Sequence, residues 1–186
     1  MLIPLGILAS SGAGAGGDYE LIATANPNNV TFFEFTNLGV HSSTYRHLQI
    51  RFTARGNPAQ PTANLDLRFN ANTTGYARHE LFGSGSTASS SATTGQNRAN
   101  IGIVTGANAQ ANVFAAGVID IHDAYSTTKN KTIRSLVGNP NIESGGRVYL
   151  SSGLWANTAS VTSITLQLDP AAFVSGSRFS LYGIKG

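Results

Sequence analysis

Apolar and polar residues alternate with a period of two along much of this chain. Leu48, Ile50 and Phe52 lie on one side of an extended segment, and His47, Gln49, Arg51 and Thr53 on the other. The rule repeats at Leu65, Leu67 and Phe69 against Asn64, Asp66, Arg68 and Asn70. It returns at Ile164, Leu166 and Leu168 against Thr165 and Gln167, then at Phe179, Leu181 and Gly183 against Tyr182 and Ile184. Each of these patterns predicts a half-buried strand. Short runs of β-forming residues predict strands over 19–24, 30–36, 45–54, 64–70, 76–82, 99–104, 112–121, 131–137, 147–151, 161–168 and 178–184. Clusters of Gly, Asn, Pro and Ser separate them, and no segment keeps a helical period for three turns. Regular strand spacing without helices predicts an all-β fold: a two-sheet antiparallel sandwich of the jelly-roll type, with the C-terminal strand among the others.

Two stretches depart from that rhythm. Residues 83–95, GSGSTASSSATTG, are polar and of low complexity, and are expected to form a loop between strands. Residues 1–17 join a short apolar block to a Gly/Ala/Ser linker, so the chain divides into an arm (1–17) and a sandwich domain (18–186). The block has no basic residue before it and is interrupted by Pro4, which argues against a secretory signal. Gly12, Gly14 and Gly17 match a dinucleotide-binding spacing formally, but no strand and helix flank them, so they are expected to act as a tether. Fully extended, seventeen residues reach about 55–60 Å. That is enough to dock Leu2, Ile3, Leu5, Ile7 and Leu8 on a neighbouring subunit, and these five side chains are the candidate anchor.

Composition narrows the function. Only 11% of the 186 residues are charged, against roughly a quarter in an ordinary soluble domain. The net charge of +3 arises from few charges, three of them lysines, and not from a cluster. A nucleic-acid partner is therefore not expected. No apolar run approaches the ~20 residues of a membrane-spanning helix. The chain has no Cys, which removes disulfides, thiolate nucleophiles and zinc–thiolate sites.

Candidate chemistry is sparse. The serines carry no G-x-S-x-G elbow. Asp120, His122 and Asp123 are the strongest metal-ligand group, with His47, His79 and Glu80 able to join only through the tertiary fold, so hydrogen bonding at a strand end is the expected role. The nine acids are spread thinly, and neither Asp66/Glu80 nor Asp120/Asp123 stands out as a glycosidase pair. Cross-strand pairing among Arg51, Asp66, Arg68, Arg78 and Glu80 is expected to account for most of the charge there. An enzyme, a cofactor and a bound metal are not expected. Aromatic rings can stack on sugars, and Tyr125 and Trp155 are the candidate distal ligand contacts, although Trp155 sits before a strand where such a residue commonly closes the core.

The phrases STYRHLQIRF (43–52), DLRFN (66–70), YARHELFGSGS (76–86), STTKNKTIRSL (126–136), SGLWANTASVTSITL (152–166) and GSRFSLYGIKG (176–186) resemble a group of small bacteriophage virion proteins, frequent in phages of aquatic bacteria including cyanobacteria. Members are described variously as tail-fibre, tail or head-decoration proteins. The resemblance spans nearly the whole chain from Asp18 and brings no catalytic residues with it. It implies a virion structural protein without enzymatic activity. The leading expectation is a capsid decoration or cement protein on the outer surface of the head, a homotrimer that clips onto neighbouring capsomers of the major capsid protein. The alternative is a tail-fibre or receptor-binding protein that attaches to tail proteins and contacts host-surface glycans.

Overall fold

The computed structural model describes residues 17–142 and 145–186. Twelve strands are present among them: β1 (Tyr19–Ala25), β2 (Phe32–Phe35), β3 (His47–Ala54), β4 (Thr62–Phe69), β5 (Tyr76–Ser84), β6 (Thr87–Gln96), β7 (Ala99–Thr105), β8 (Ala115–His122), β9 (Lys131–Asn139), β10 (Arg147–Trp155), β11 (Ile164–Gln167) and β12 (Arg178–Ile184). One short 3-10 turn at Leu38–His41 is the helical element among the described residues. None of these residues forms a helix long and apolar enough to cross a membrane.

Nested antiparallel pairs define the topology. β1 pairs with β12, β2 with β11, β3 with β8 and β4 with β7, as in one long hairpin. Rolling that hairpin brings β12 beside β3 and β11 beside β4. The result is the two-sheet jelly roll, with β1-β12-β3-β8 in one sheet and β2-β11-β4-β7 in the other. β12 thus lies between two partners, as the terminal alternation predicts.

Two inserted hairpins elaborate this frame. β9–β10 follows β8 and β5–β6 follows β4, and together they extend the first sheet to eight strands, β1-β12-β3-β8-β9-β10-β5-β6. The stretch expected as a loop at 83–95 is largely β6, a correction to the sequence reading. β6 pairs with β5 from Tyr76↔Gln96 to Ser84↔Thr87 around a tight turn in which Gly85 has φ 61°. Its Ser, Thr and Ala side chains are mostly exposed, so the strand carries no apolar alternation to announce it. Hydroxyl-bearing Thr still suits a pleated edge, and Gly at positive φ suits the turn.

The extension curls over β7, which ends the four-stranded sheet and would otherwise present an open edge. Ser135 Oγ on β9 donates to the Ile101 carbonyl at 2.6 Å, and Ser151 Oγ on β10 to the Asn100 carbonyl at 3.4 Å. Thr105 Oγ1 donates to Asn139 Oδ1 at 2.9 Å. These bonds satisfy polar groups that burial would leave costly. The approach is close: a Cβ at Gly102, whose φ is +136°, would lie 2.8 Å from Val137 Cγ2.

Between the sheets lie Leu48, Ile50, Phe52, Leu65, Leu67, Phe69, Ile119, Ile121, Leu166, Phe179 and Leu181, all buried. Every alternation quoted from the sequence points its apolar members into this core. Each large aliphatic side chain so buried contributes about 1.5–3 kcal/mol.

Candidate assembly surface

The outer face of the eight-stranded sheet is where the pattern inverts. On β10 the inward positions are Tyr149, Ser151, Gly153 and Trp155, whereas Val148, Leu150 and Leu154 point outward. On β9 the exchange is confined to Ser135 inward and Leu136 outward, for Ile133 and Val137 are buried and Thr132 and Arg134 exposed. The inward serines are those that bond β7, so the curl of the sheet places hydroxyls inside at these positions. Nothing in that requirement calls for leucines outside.

Register lines those residues up. Val118, Leu136, Leu150 and Leu81 form one row across β8, β9, β10 and β5. Leu136, Leu150 and Leu81 are 51%, 46% and 53% exposed. Two residues along, Ala116, Gly138, Val148 and Gly83 form the next row. A Cβ at Gly138 or Gly83 would meet nothing within 4 Å, so Val148 stands between hollows. Two adjoining depressions of about 870 and 650 Å³ share Ala116, Gly138 and Val148. A polar row, Asp120, Arg134, Ser152 and His79, bounds the apolar band on one side. Strand spacing of about 4.8 Å and a rise of about 3.3 Å per residue give the two rows a footprint of roughly 250 Å². That is the size of an apolar interface centre with a polar rim, not of a whole interface.

The rim is electrostatically settled. Arg134 Nη2 lies 2.7 Å from Asp120 Oδ2, and Gln49 Nε2 donates to Asp120 Oδ1 at 2.7 Å. Burial works against ionisation of Asp120, but these bonds outweigh it and hold the carboxyl below its ordinary value. Arg51 lies over the rings of Tyr19 and Tyr182, 5.2 and 5.8 Å from their centroids.

The residues singled out from the sequence fall elsewhere. Leu2, Ile3, Leu5, Ile7 and Leu8 lie outside the described residues. Trp155 is 1% exposed, packed against Phe69 and stacked on Tyr76 at 6.2 Å between centroids. It is a core residue, which corrects its candidacy as a distal ligand contact: its side chain follows the inward side of β10. Tyr125 is half-buried against the core, and burial pushes its hydroxyl up to about 12. It lines a small hollow with Tyr45, Arg46, Asp123 and Lys129.

Asp123 receives Lys129 Nζ at 2.7 Å and Arg46 Nε at 2.6 Å, bonds that hold its carboxyl well below the usual range. His47 Nδ1 accepts the Asp123 backbone N–H at 2.9 Å, and the His47 and His122 rings are 5.6 Å apart. His79 and Glu80 lie on β5, three strands from His122, with Glu80 bonded by Ser91 Oγ at 2.6 Å. Among the described residues no three His, Asp or Glu side chains converge as a metal site.

The charge pairing differs in detail from the cross-strand expectation. Arg51 belongs to the opposite sheet from Asp66 and Arg68. Arg78 and Glu80 pair along one strand, and Asp66 faces Arg98.

No protein-family model matches the chain, and no curated protein matches it significantly.

Proposed function

We propose that this chain is a non-enzymatic bacteriophage virion structural protein, a decoration or cement protein that binds the major capsid protein on the outer surface of the head and clips neighbouring capsomers as a homotrimer. The observation that carries the reading is the row Val118–Leu136–Leu150–Leu81, an apolar band that the described residues leave exposed on a sheet face extended by two inserted hairpins. A face of this kind is maintained where it meets a partner. The resemblance of the sequence to small virion proteins names the class of partner, and the low charge suits repeated surface contacts. Residues 1–17 supply the second attachment: burial of Leu2, Ile3, Leu5, Ile7 and Leu8 at about 25 cal/mol per Å² anchors the arm on a neighbour.

Co-sedimentation with particles that lack the protein tests the reading. The chain without residues 1–17 is expected to stay folded and to lose particle binding. Full occupancy by the truncated chain contradicts the arm's role. Retention on isolated tails but not heads replaces the cement reading with the tail-fibre one.

A further inference from the structure

A second cavity lies away from the apolar face. The outer side of β4 and β7 and the inner edge of the β5–β6 hairpin enclose a cleft of about 330 Å³, within the range of about 300–1,000 Å³ typical of small-molecule sites. Its walls are almost wholly polar: Asp66, Arg78, Gln96, Arg98, Asn100 and Asp169 line it.

The groups are arranged as alternating acceptors and donors. Asn100 Nδ2 donates to Asp66 Oδ1 at 3.0 Å, and Arg98 Nη1 lies 3.7 Å from Asp66 Oδ2 and 3.2 Å from Asp169 Oδ2. Asp66 is 8% exposed, an unusual position for a carboxylate on the outer side of a sheet, and burial pushes its carboxyl above the ordinary value. Arg78 pairs with Glu80 at 3.4 Å through its terminal nitrogen, while its buried Nε has no hydrogen-bond partner. Arg78 therefore carries a guanidinium N–H that no group among the described residues takes up.

Charge and polarity select the ligand. Two carboxylates and two guanidinium groups line the cleft and cancel, so neither an anion nor a cation is favoured overall. Little apolar surface is offered, which disfavours a lipid or an aliphatic side chain. A neutral molecule carrying several adjacent hydroxyls matches, because each hydroxyl both donates to a carboxylate and accepts from an amide or guanidinium. We propose that this cleft binds a neutral saccharide, one or two sugar rings, through Asp66, Arg78, Gln96, Arg98 and Asn100. The site does not depend on where in a particle the protein sits, and its test is separate from the particle assays.

The test is a titration of the isotope-labelled full chain, followed by ¹H–¹⁵N correlation spectra, with the methyl glycosides of glucose, galactose and mannose. Inorganic phosphate serves as the anionic probe. At least one glycoside is expected to give saturable shifts at Arg78, Gln96, Arg98 and Asn100, with affinity about tenfold weaker in Asp66→Asn, which loses a charged acceptor. Gln96→Ala, on an exposed edge strand, is expected to weaken binding a few-fold with an otherwise unchanged spectrum, and decides the matter if Asp66→Asn fails to fold. Three results overturn the proposal: no saturable shift with any of the glycosides up to about 100 mM, well above the range of a shallow site; stronger shifts of the same residues with phosphate; or undiminished binding in Gln96→Ala and, where it folds, in Asp66→Asn.

Discussion

Leu150 on β10 stands directly opposite Leu136 on β9, and both are about half exposed on the outer face of the sheet. Cross-strand leucines in contact would ordinarily be the centre of a core. Here they are the centre of a surface.

Replacing Leu150 with Asp puts a charge in that row without touching the buried face. Folding stability is expected to change by no more than about 0.5 kcal/mol. Particle binding is expected to weaken at least tenfold, as for a central interface residue. Thermal melts and co-sedimentation measure the two effects separately. Equal binding by Leu150→Asp removes the outer face from the interface.

Trp155 is the one tryptophan of the chain, so its fluorescence reports on a single site. Buried between Phe69 and Tyr76, it is expected to emit at short wavelength and to resist aqueous quenchers. Trp155→Ala is expected to cost about 3–5 kcal/mol of stability. Chemical denaturation gives the number, and a loss below about 1 kcal/mol contradicts a core role.

His47 gives the fold a pH dependence. Burial lowers its pKa, with His122, Arg46 and Lys129 acting in the same direction and Asp123 opposing them. The unfolded chain then takes up the proton first, near the ordinary value of about 6.5. Stability is therefore full above that pH and falls as the pH drops through it, until the folded-state value is reached. Asp123, held low by Lys129 and Arg46, loses its contribution only below about pH 4, where the unfolded carboxylate protonates. His47→Gln is expected to flatten the melting-temperature profile between about pH 7 and pH 5. An unaltered slope in that variant assigns the step to another group.

Lys131 is fully buried and gives its ammonium to three backbone carbonyls, those of Ser126, Lys129 and Thr158, at 2.6, 2.9 and 3.2 Å. It ties the β8–β9 turn to the segment after β10. Lys131→Met keeps the stem but orphans the carbonyls, and is expected to destabilise by about 2–4 kcal/mol. A variant as stable as the parent shows that water replaces the ammonium at no cost.

The strands whose alternation is plain, β3, β4 and β12, were legible because each has one face in the core and one in solvent. β6 was not: an edge strand exposed along its length obeys no burial rule, and its Ser/Thr/Ala sequence reads equally as a loop. Its signal was local, in the Ser84–Gly85–Ser86–Thr87 turn and the Thr-rich run that follows. The apolar face was hidden for a different reason. Val148, Leu150 and Leu154 look like the buried set of their strand, and only the pairing of β10 with β9 and the serine bonds to β7 place them outside. Asp66 sits at an outward position and is buried all the same, because the β5–β6 hairpin and Arg98 cover it. None of that is encoded near residue 66. Trp155 followed the commoner pattern of an aromatic closing the core.

Cryo-electron microscopy of intact particles containing the chain is the most direct measurement of its role. The expected density is a jelly roll repeated over the lattice of the head, with Leu81, Leu136, Val148 and Leu150 buried against a neighbouring subunit and residues 1–17 running onto another. Density confined to the tail, or a head-bound sandwich whose leucine face is open to solvent, would contradict the account.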